Sequence, residues 1–238
     1  MSTDTLHFHA NLYTILINVF NKGGFRMARE RVSLADKAYD IIKTNIINLT
    51  YPPGMQLTEA LLTEELGMSR NPVRTALKML ESEGLIVSDY YKSMIVKEIS
   101  EEDINNIYQL RELLEGAAFK QIFDLGRAEE FSYRIEEKVV RMCASAHDIF
   151  AWEVADANMH MEIVSIFDNE RINKFYETNL AELIRMGMRS VKNGMQIDET
   201  NDNLKQMVLY MRENNYEKSF EILKNDHFKT GKITALSE

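Results

Sequence analysis

Residues 57–85 read LTEALLTEELGMSRNPVRTALKMLESEGL, and this stretch predicts two helices joined by a tight turn. Leu57, Leu61, Leu62 and Leu66 recur at helical spacing, and Gly67 stands where glycine commonly ends a helix. Ser69 is placed to cap a second helix, with Pro72 in its first turn, where a missing N–H costs nothing. On that helix Val73, Ala76, Leu77 and Leu80 form one face, while Arg70, Arg74 and Lys78 follow each other at four-residue steps on another. An apolar back, a basic front and a polar leading end (Ser69, Arg70, Asn71) suit the major groove of DNA. In most proteins a basic stripe is only a solvated face, so the flanks must decide.

After Gly84 the run LIVSDYYKSMIVKEI contains two short β-branched segments around a polar turn, which predicts a hairpin. Before the stretch, Leu34, Ala38, Ile41, Ile42 and Leu49 mark a first helix, closed by the turn Tyr51-Pro52-Pro53-Gly54. Three helices and a hairpin, in that order, make a winged helix-turn-helix. The PPG turn, the L-x-E after it, the LG-x-SR-x-PVR-x-AL-x-x-L block and the EGL before the wing resemble the DNA-binding domain of the GntR family of bacterial transcription regulators. The resemblance covers about Ser33 to Ser100. It implies DNA contacts from Ser69, Arg70, Asn71, Arg74 and Lys78, and from Lys92 in the wing. One departure concerns the wing turn, where the family commonly carries a glycine after a basic residue and this chain has Ser93 after Lys92.

At 238 residues the chain is long enough for two domains, each with its own core. Cys143 is the only cysteine, which permits no internal disulfide and fits a reducing cytoplasm. The early apolar run LYTILINVF is too short to span a bilayer, and no membrane association is expected. A net charge of −9 and a pI near 5.2 look wrong for a DNA binder. The charge is unevenly spread, however. Residues 29–99 carry nine Lys/Arg against ten Asp/Glu, and residues 100–238 carry seventeen against twenty-six. The DNA-binding half is thus neutral overall and must concentrate its positive charge on one surface.

The pattern divides the chain into residues 1–26, 27–99 and 100–238. The first segment matches nothing downstream and reads as a non-native leader: Lys22-Gly23-Gly24, shortly before Met27, is encodable by a ribosome-binding sequence. The competing reading is a disordered arm or short helix. From Ser100 onward helical periodicity prevails and no proline occurs. Six helices are expected, at about 101–125, 128–146, 148–168, 170–193, 198–213 and 215–232, so the fold class is mainly α. IYQLRELLEGAAF, the D-x-x-x-H of Asp156 and His160, and a late helix ending in His227 resemble the FCD effector-binding domain of many GntR regulators. That resemblance implies a homodimer that senses a small molecule, commonly a carboxylate, sometimes through a bound metal.

Asp156 and His160 are four apart and face the same way on a helix, so they could share a metal, and His227 could meet them inside a bundle. Zn, Ni or Fe are the candidate ions. The resemblance implies a further histidine on the penultimate helix, around Asp202 to Met207, and none is there. Lys205, if turned inward, would supply positive charge in place of a metal. Arg111, Arg185 and Arg189 are candidates for holding an effector carboxylate, because guanidinium pairs carboxylates bidentately. For Arg111 an internal ion pair with Glu115 competes. The expected function is a ligand-responsive regulator of a double-stranded operator, and no enzyme. The alternatives are a metal-dependent enzyme built on two histidines and one carboxylate, or a DNA-binding dimer without an effector.

Overall fold

The computed structural model describes residues 33–88 and 94–237. They form two compact units, one ending at Ile99 and the other beginning at Ser100. Residues 1–26 and Lys92, with Tyr90 and Tyr91 beside it, lie outside the described residues.

The first unit opens with α1, Leu34–Ile47. Ser33 and Asp36 form a reciprocal capping box there, each side chain taking the other's backbone N–H at 3.1 Å. The chain then turns through Pro52 and Pro53 to Gly54, whose φ of 78° belongs to the left-handed region. Gly54 N–H donates to Val96 C=O at 2.9 Å, which ties the turn to the sheet. Helix α2, Glu59–Leu66, is capped by Thr58 and closed by Gly67 at φ 60°. Helix α3, Arg70–Ser82, has Ser69 at its N-cap position, although the Ser69 hydroxyl makes no capping hydrogen bond. Val73, Ala76, Leu77 and Leu80 are all buried, as are Ala38, Ile42 and Ile46 of α1, the helix on which α3 packs. Lys43 meets Glu83 at 2.7 Å and links α1 to the end of α3.

Strands β2, Ile86–Ser88, and β3, Met94–Val96, form the expected hairpin. A third strand, β1, Gln56–Leu57, pairs antiparallel with β3, so the sheet order is β1-β3-β2. Leu57 therefore belongs to a strand and not to the following helix, and Thr58 is the residue that starts α2. The leucine spacing could not show this, because a two-residue strand is shorter than any periodic pattern.

The second unit is entirely helical among its described residues. It comprises α4 (Glu101–Asp124), α5 (Ala128–Ala144), α6 (Ile149–Val164), α7 (Glu170–Lys192) and α8 (Ile197–Arg212). Ser100 and Asp103 box the start of α4, Asp148 caps α6 and Asn169 caps α7. The last expected helix differs from a single regular rod. It is α9 (Tyr216–Glu221), then an eight-residue π-helical stretch (Ile222–Lys229), then α10 (Thr230–Leu236). The wide turn carries both His227 and Phe228 into the interior. A sequence pattern read at 3.6 residues per turn is blind to such a change of pitch.

Helix α6 is the axis of this unit. Ten of its residues are buried, on every side, including Trp152, Met159 and Ile163. A helix apolar all round lies inside a bundle. Its polar members, Glu153, Asp156 and His160, are therefore held away from water and need partners within the protein. Among the described residues no helix is long and apolar enough to cross a membrane.

Candidate functional site

The outer face of α3 carries Ser69, Arg70, Asn71, Arg74 and Lys78, all exposed. Arg74 is held in place: its Nε and Nη2 donate to the two carboxylate oxygens of Glu59 at 2.7 and 3.0 Å. Glu59 is the first residue of α2, so the two helices of the motif are clasped through the basic face itself. The fork also holds the Glu59 carboxyl below its ordinary range.

In the helical unit a cavity of about 20 Å³, within an open pocket of about 400 Å³ that includes solvent space, is lined from five elements, the last of them α10 through Gly231. Tyr108 and Arg111 come from α4, Glu153, Asp156 and His160 from α6, Tyr176, Gly187 and Ser190 from α7, and His227 from the π-helical stretch. Spacing explains the α6 set. Residues 153, 156 and 160 fall on one face of a helix with 3.6 residues per turn.

Asp156, His160 and His227 each offer one ligand atom, and these atoms lie within 4.8 Å of one another. The two imidazole Nε2 atoms are 2.7 Å apart, and Asp156 Oδ2 and Oδ1 lie 3.4 and 3.2 Å from those of His160 and His227 respectively. Nδ1 of His160 faces Glu115; burial would lower this imidazole, but Glu115 and Asp156 raise its pKa, so its Nε2 lone pair is open to the cluster only when the ring is neutral. Burial keeps His227 low and hence neutral. Burial would raise Asp156, but the two imidazoles hold it well below the usual carboxylate range. Two imidazole nitrogens and one carboxylate thus converge, and with both rings neutral that donor set fits a divalent transition metal. A guanidinium N–H of Arg111 also donates to His160 Nε2, so a metal at that nitrogen would have to displace it.

Arg111 is the centre of a second network. Its Nε donates to Glu115 at 3.0 Å, and its guanidinium lies over the rings of Phe228 and Tyr108 at 4.9 and 5.4 Å. Tyr176 Oη donates to the same Glu115 carboxylate at 2.9 Å. Burial works against charge on Glu115, yet His160 and Arg111 hold its pKa down to about 2. Burial pushes the Tyr108 hydroxyl up to about 12, so it remains a hydrogen-bond donor.

The structure sorts the basic residues singled out from the sequence. Arg111 pairs with Glu115 and lines the cavity as well. Arg185 and Arg189 do not line it. They flank Gly187 by two residues on either side, which turns them about 200° from the cavity face of α7. Lys205 is not turned inward: its side chain is 55% exposed and its ammonium meets Asp202 at 2.9 Å. The interior of α8 is given to Asn201, Leu204 and Met207, with Asn201 accepting from Trp152 Nε1 at 2.9 Å. The guanidinium on the cavity wall is therefore that of Arg111, while Arg185 is buried away from the cavity. Sequence reasoning missed Glu153, a buried carboxyl on the cavity wall. The signal was available, because Glu153 sits one turn before Asp156 on the same face.

Residues 34–96 match the family model for bacterial regulatory proteins of the gntR family, and residues 106–227 match the FCD domain. An HTH-type transcriptional regulator of Agrobacterium vitis, from the TAR-I ttuE-ttuC' intergenic region, is 32% identical over 146 residues, which is 58% of this chain and 85% of that protein. The HTH-type transcriptional regulator YdhC of Bacillus subtilis (strain 168) is 32% identical over 94 residues, 40% of this chain and 42% of that one. A crystal structure of a GntR transcriptional regulator from Rhodococcus sp. RHA1 shares the fold, with a TM-score of 0.65 at 21% identity over 85% of this chain and 97% of that chain. The chain belongs to the gntR family of bacterial regulatory proteins, a DNA-binding transcription regulator with a winged helix-turn-helix and an FCD domain, and not an enzyme.

Proposed function

We propose that the chain represses or activates a promoter as a homodimer on a near-palindromic operator, and that a small carboxylate bound in the helical unit changes its grip on DNA. Ser69, Arg70, Asn71, Arg74 and Lys78 meet the major groove, and Lys92, outside the described residues, is the candidate for the minor groove. The observation that carries the effector reading is the buried Arg111 guanidinium on the cavity wall beside the Asp156, His160 and His227 cluster, where it touches His160 Nε2. A desolvated guanidinium stacked between two rings is a strong, oriented partner for a carboxylate.

Asp156, His160 and His227 would hold the metal, with Zn, Ni or Fe suited to the donors. The ion would supply a second positive centre for the effector carboxylate. Arg111 orients the acid from the side of α4, and Glu115, anchored by Tyr176, keeps both Arg111 and His160 in place. The effector moves the operator equilibrium only by binding one arrangement of the dimer more tightly than the other.

Retention of the operator by tag-free protein, titrated with a panel of carboxylates with and without added Zn, tests the reading. Release or tightening by at least one acid, and its loss in Arg111→Met, is the expected result. No response to any acid, alongside metal bound equally by wild type and His160→Ala, counts against it.

A further inference from the structure

Glu153 is a cavity carboxyl that the rest of the fold leaves unexplained. Glu115 is engaged by Arg111, His160 and Tyr176, and Asp156 faces the two imidazoles. Glu153 is 3% exposed, and its Oε1 has no hydrogen-bond partner among the described residues. Burial, with Asp156 nearby, pushes its pKa well up. Apolar side chains fill the neighbouring buried positions Val154, Met159 and Ile163, and a methionine here would avoid the cost of an unpartnered acid.

The opposite wall is shaped around that carboxyl. Gly187 lies in the middle of α7, where glycine weakens a helix. A Cβ at this position would overlap the carboxyl of Glu153, coming within 2.5 Å of its Cδ. A residue unfavourable to α7 thus makes room for a residue unfavourable to α6. Such paired local concessions are expected where a side chain waits for a ligand.

We propose that Glu153 is the selectivity-determining residue of the cavity, accepting a hydrogen from a hydroxyl or amino group carried by the same molecule whose carboxylate Arg111 holds. This rests on the reading of the cavity as a carboxylate site. The effector class is then a hydroxy acid or an amino acid, not a plain carboxylic acid. A donor-free acid leaves the Glu153 oxygen buried and unpaired, which is the situation in which sites discriminate most sharply.

Calorimetric titration of the full, tag-free chain with two matched sets decides it: propionate, lactate and alanine, then succinate, malate and aspartate. In at least one set a donor-bearing acid binds about tenfold or more tightly than its parent. Glu153→Met removes that margin and leaves the parent acid's affinity in place. Glu153→Gln, which keeps an acceptor oxygen but cannot ionise when a ligand ammonium arrives, retains part of a hydroxyl preference and loses an ammonium preference, and so separates the two sources of the donor. Equal affinities within both sets, or a preference that survives in Glu153→Met, overturns the role of Glu153 while leaving the carboxylate site intact. Binding of none of the six acids by wild type overturns the carboxylate site and this proposal together.

Discussion

Two residues on the groove face and one in the cavity allow sharp expectations. Arg70 and Arg74 stand one turn apart at the leading end of α3. Arg70→Ala or Arg74→Ala is expected to weaken operator binding by about 1–3 kcal/mol if the contact is to a base, while circular dichroism stays unchanged. Retained affinity in both variants would place these side chains away from the bases. Glu153→Met is expected to stabilise the fold, because it replaces a buried, unpartnered acid by an apolar side chain of similar length. The pH dependence has a definite sign. Glu153 ionises at a higher pH in the folded chain than in the unfolded one, so its share of stability is intact below about pH 4.5 and declines as pH rises towards the folded pKa. The advantage of the methionine variant should be least at acidic pH and then grow by at most about 1.4 kcal/mol per pH unit. Urea melts of both proteins at three pH values measure this, and a difference independent of pH would show that Glu153 is ionised to the same extent in both states.

Between elements, the contact of α6 with α7 is the informative one. Gly187→Ala alone should gain about 1 kcal/mol from helix propensity and lose some or all of it by pushing the Glu153 carboxyl aside. With Glu153 truncated to Ala, the same Gly187→Ala change has no carboxyl to displace and should show its full gain. The double-mutant cycle is expected to give a coupling of about 1–2 kcal/mol. Additivity within error would mean that the two helices adjust without strain. In the winged helix the corresponding contact is the Arg74 fork onto Glu59, which joins α2 to α3 through the groove face. Being exposed, it fixes the direction of a side chain more than it stabilises the fold.

For the molecule as a whole, the net charge of −9 sets how it behaves on DNA. Its acidic excess lies beyond Ser100, so the long-range field opposes approach to a polyanion and only the local face of α3 favours it. Nonspecific DNA affinity is therefore expected to fall steeply with salt and to be lost at about 0.2 M, whereas operator binding persists. Fluorescence anisotropy on operator and scrambled duplexes across a salt series checks this. Parallel curves for the two duplexes would mean that base contacts add nothing.

The winged helix was legible because its signals are local. Gly67 at a left-handed position, Pro72 in a first turn and Val73, Ala76, Leu77 and Leu80 on one face are each set within a few residues. Asp156 and His160 were legible for the same reason, since four residues make one turn of α6. The surroundings of that pair were not legible in this way. Glu115 reaches His160 across 45 residues, His227 meets it across 67, and Tyr176 joins Glu115 across 61. Which face of α8 turned inward, Asn201 and Leu204 but not Lys205, was decided by the Trp152 hydrogen bond and the packing of α8 on α5. The π-helical pitch around His227 and the overlap of Gly187 with Glu153 likewise exist only once helices are packed together. Sequence by itself determined most of the helices, the hairpin and their order, and pointed to the family, because helix periods, caps and turn residues act along the chain. Tertiary structure alone decided which charges are shared, which are exposed and which carboxyl stands without a partner, because desolvation depends on neighbours that are distant in sequence.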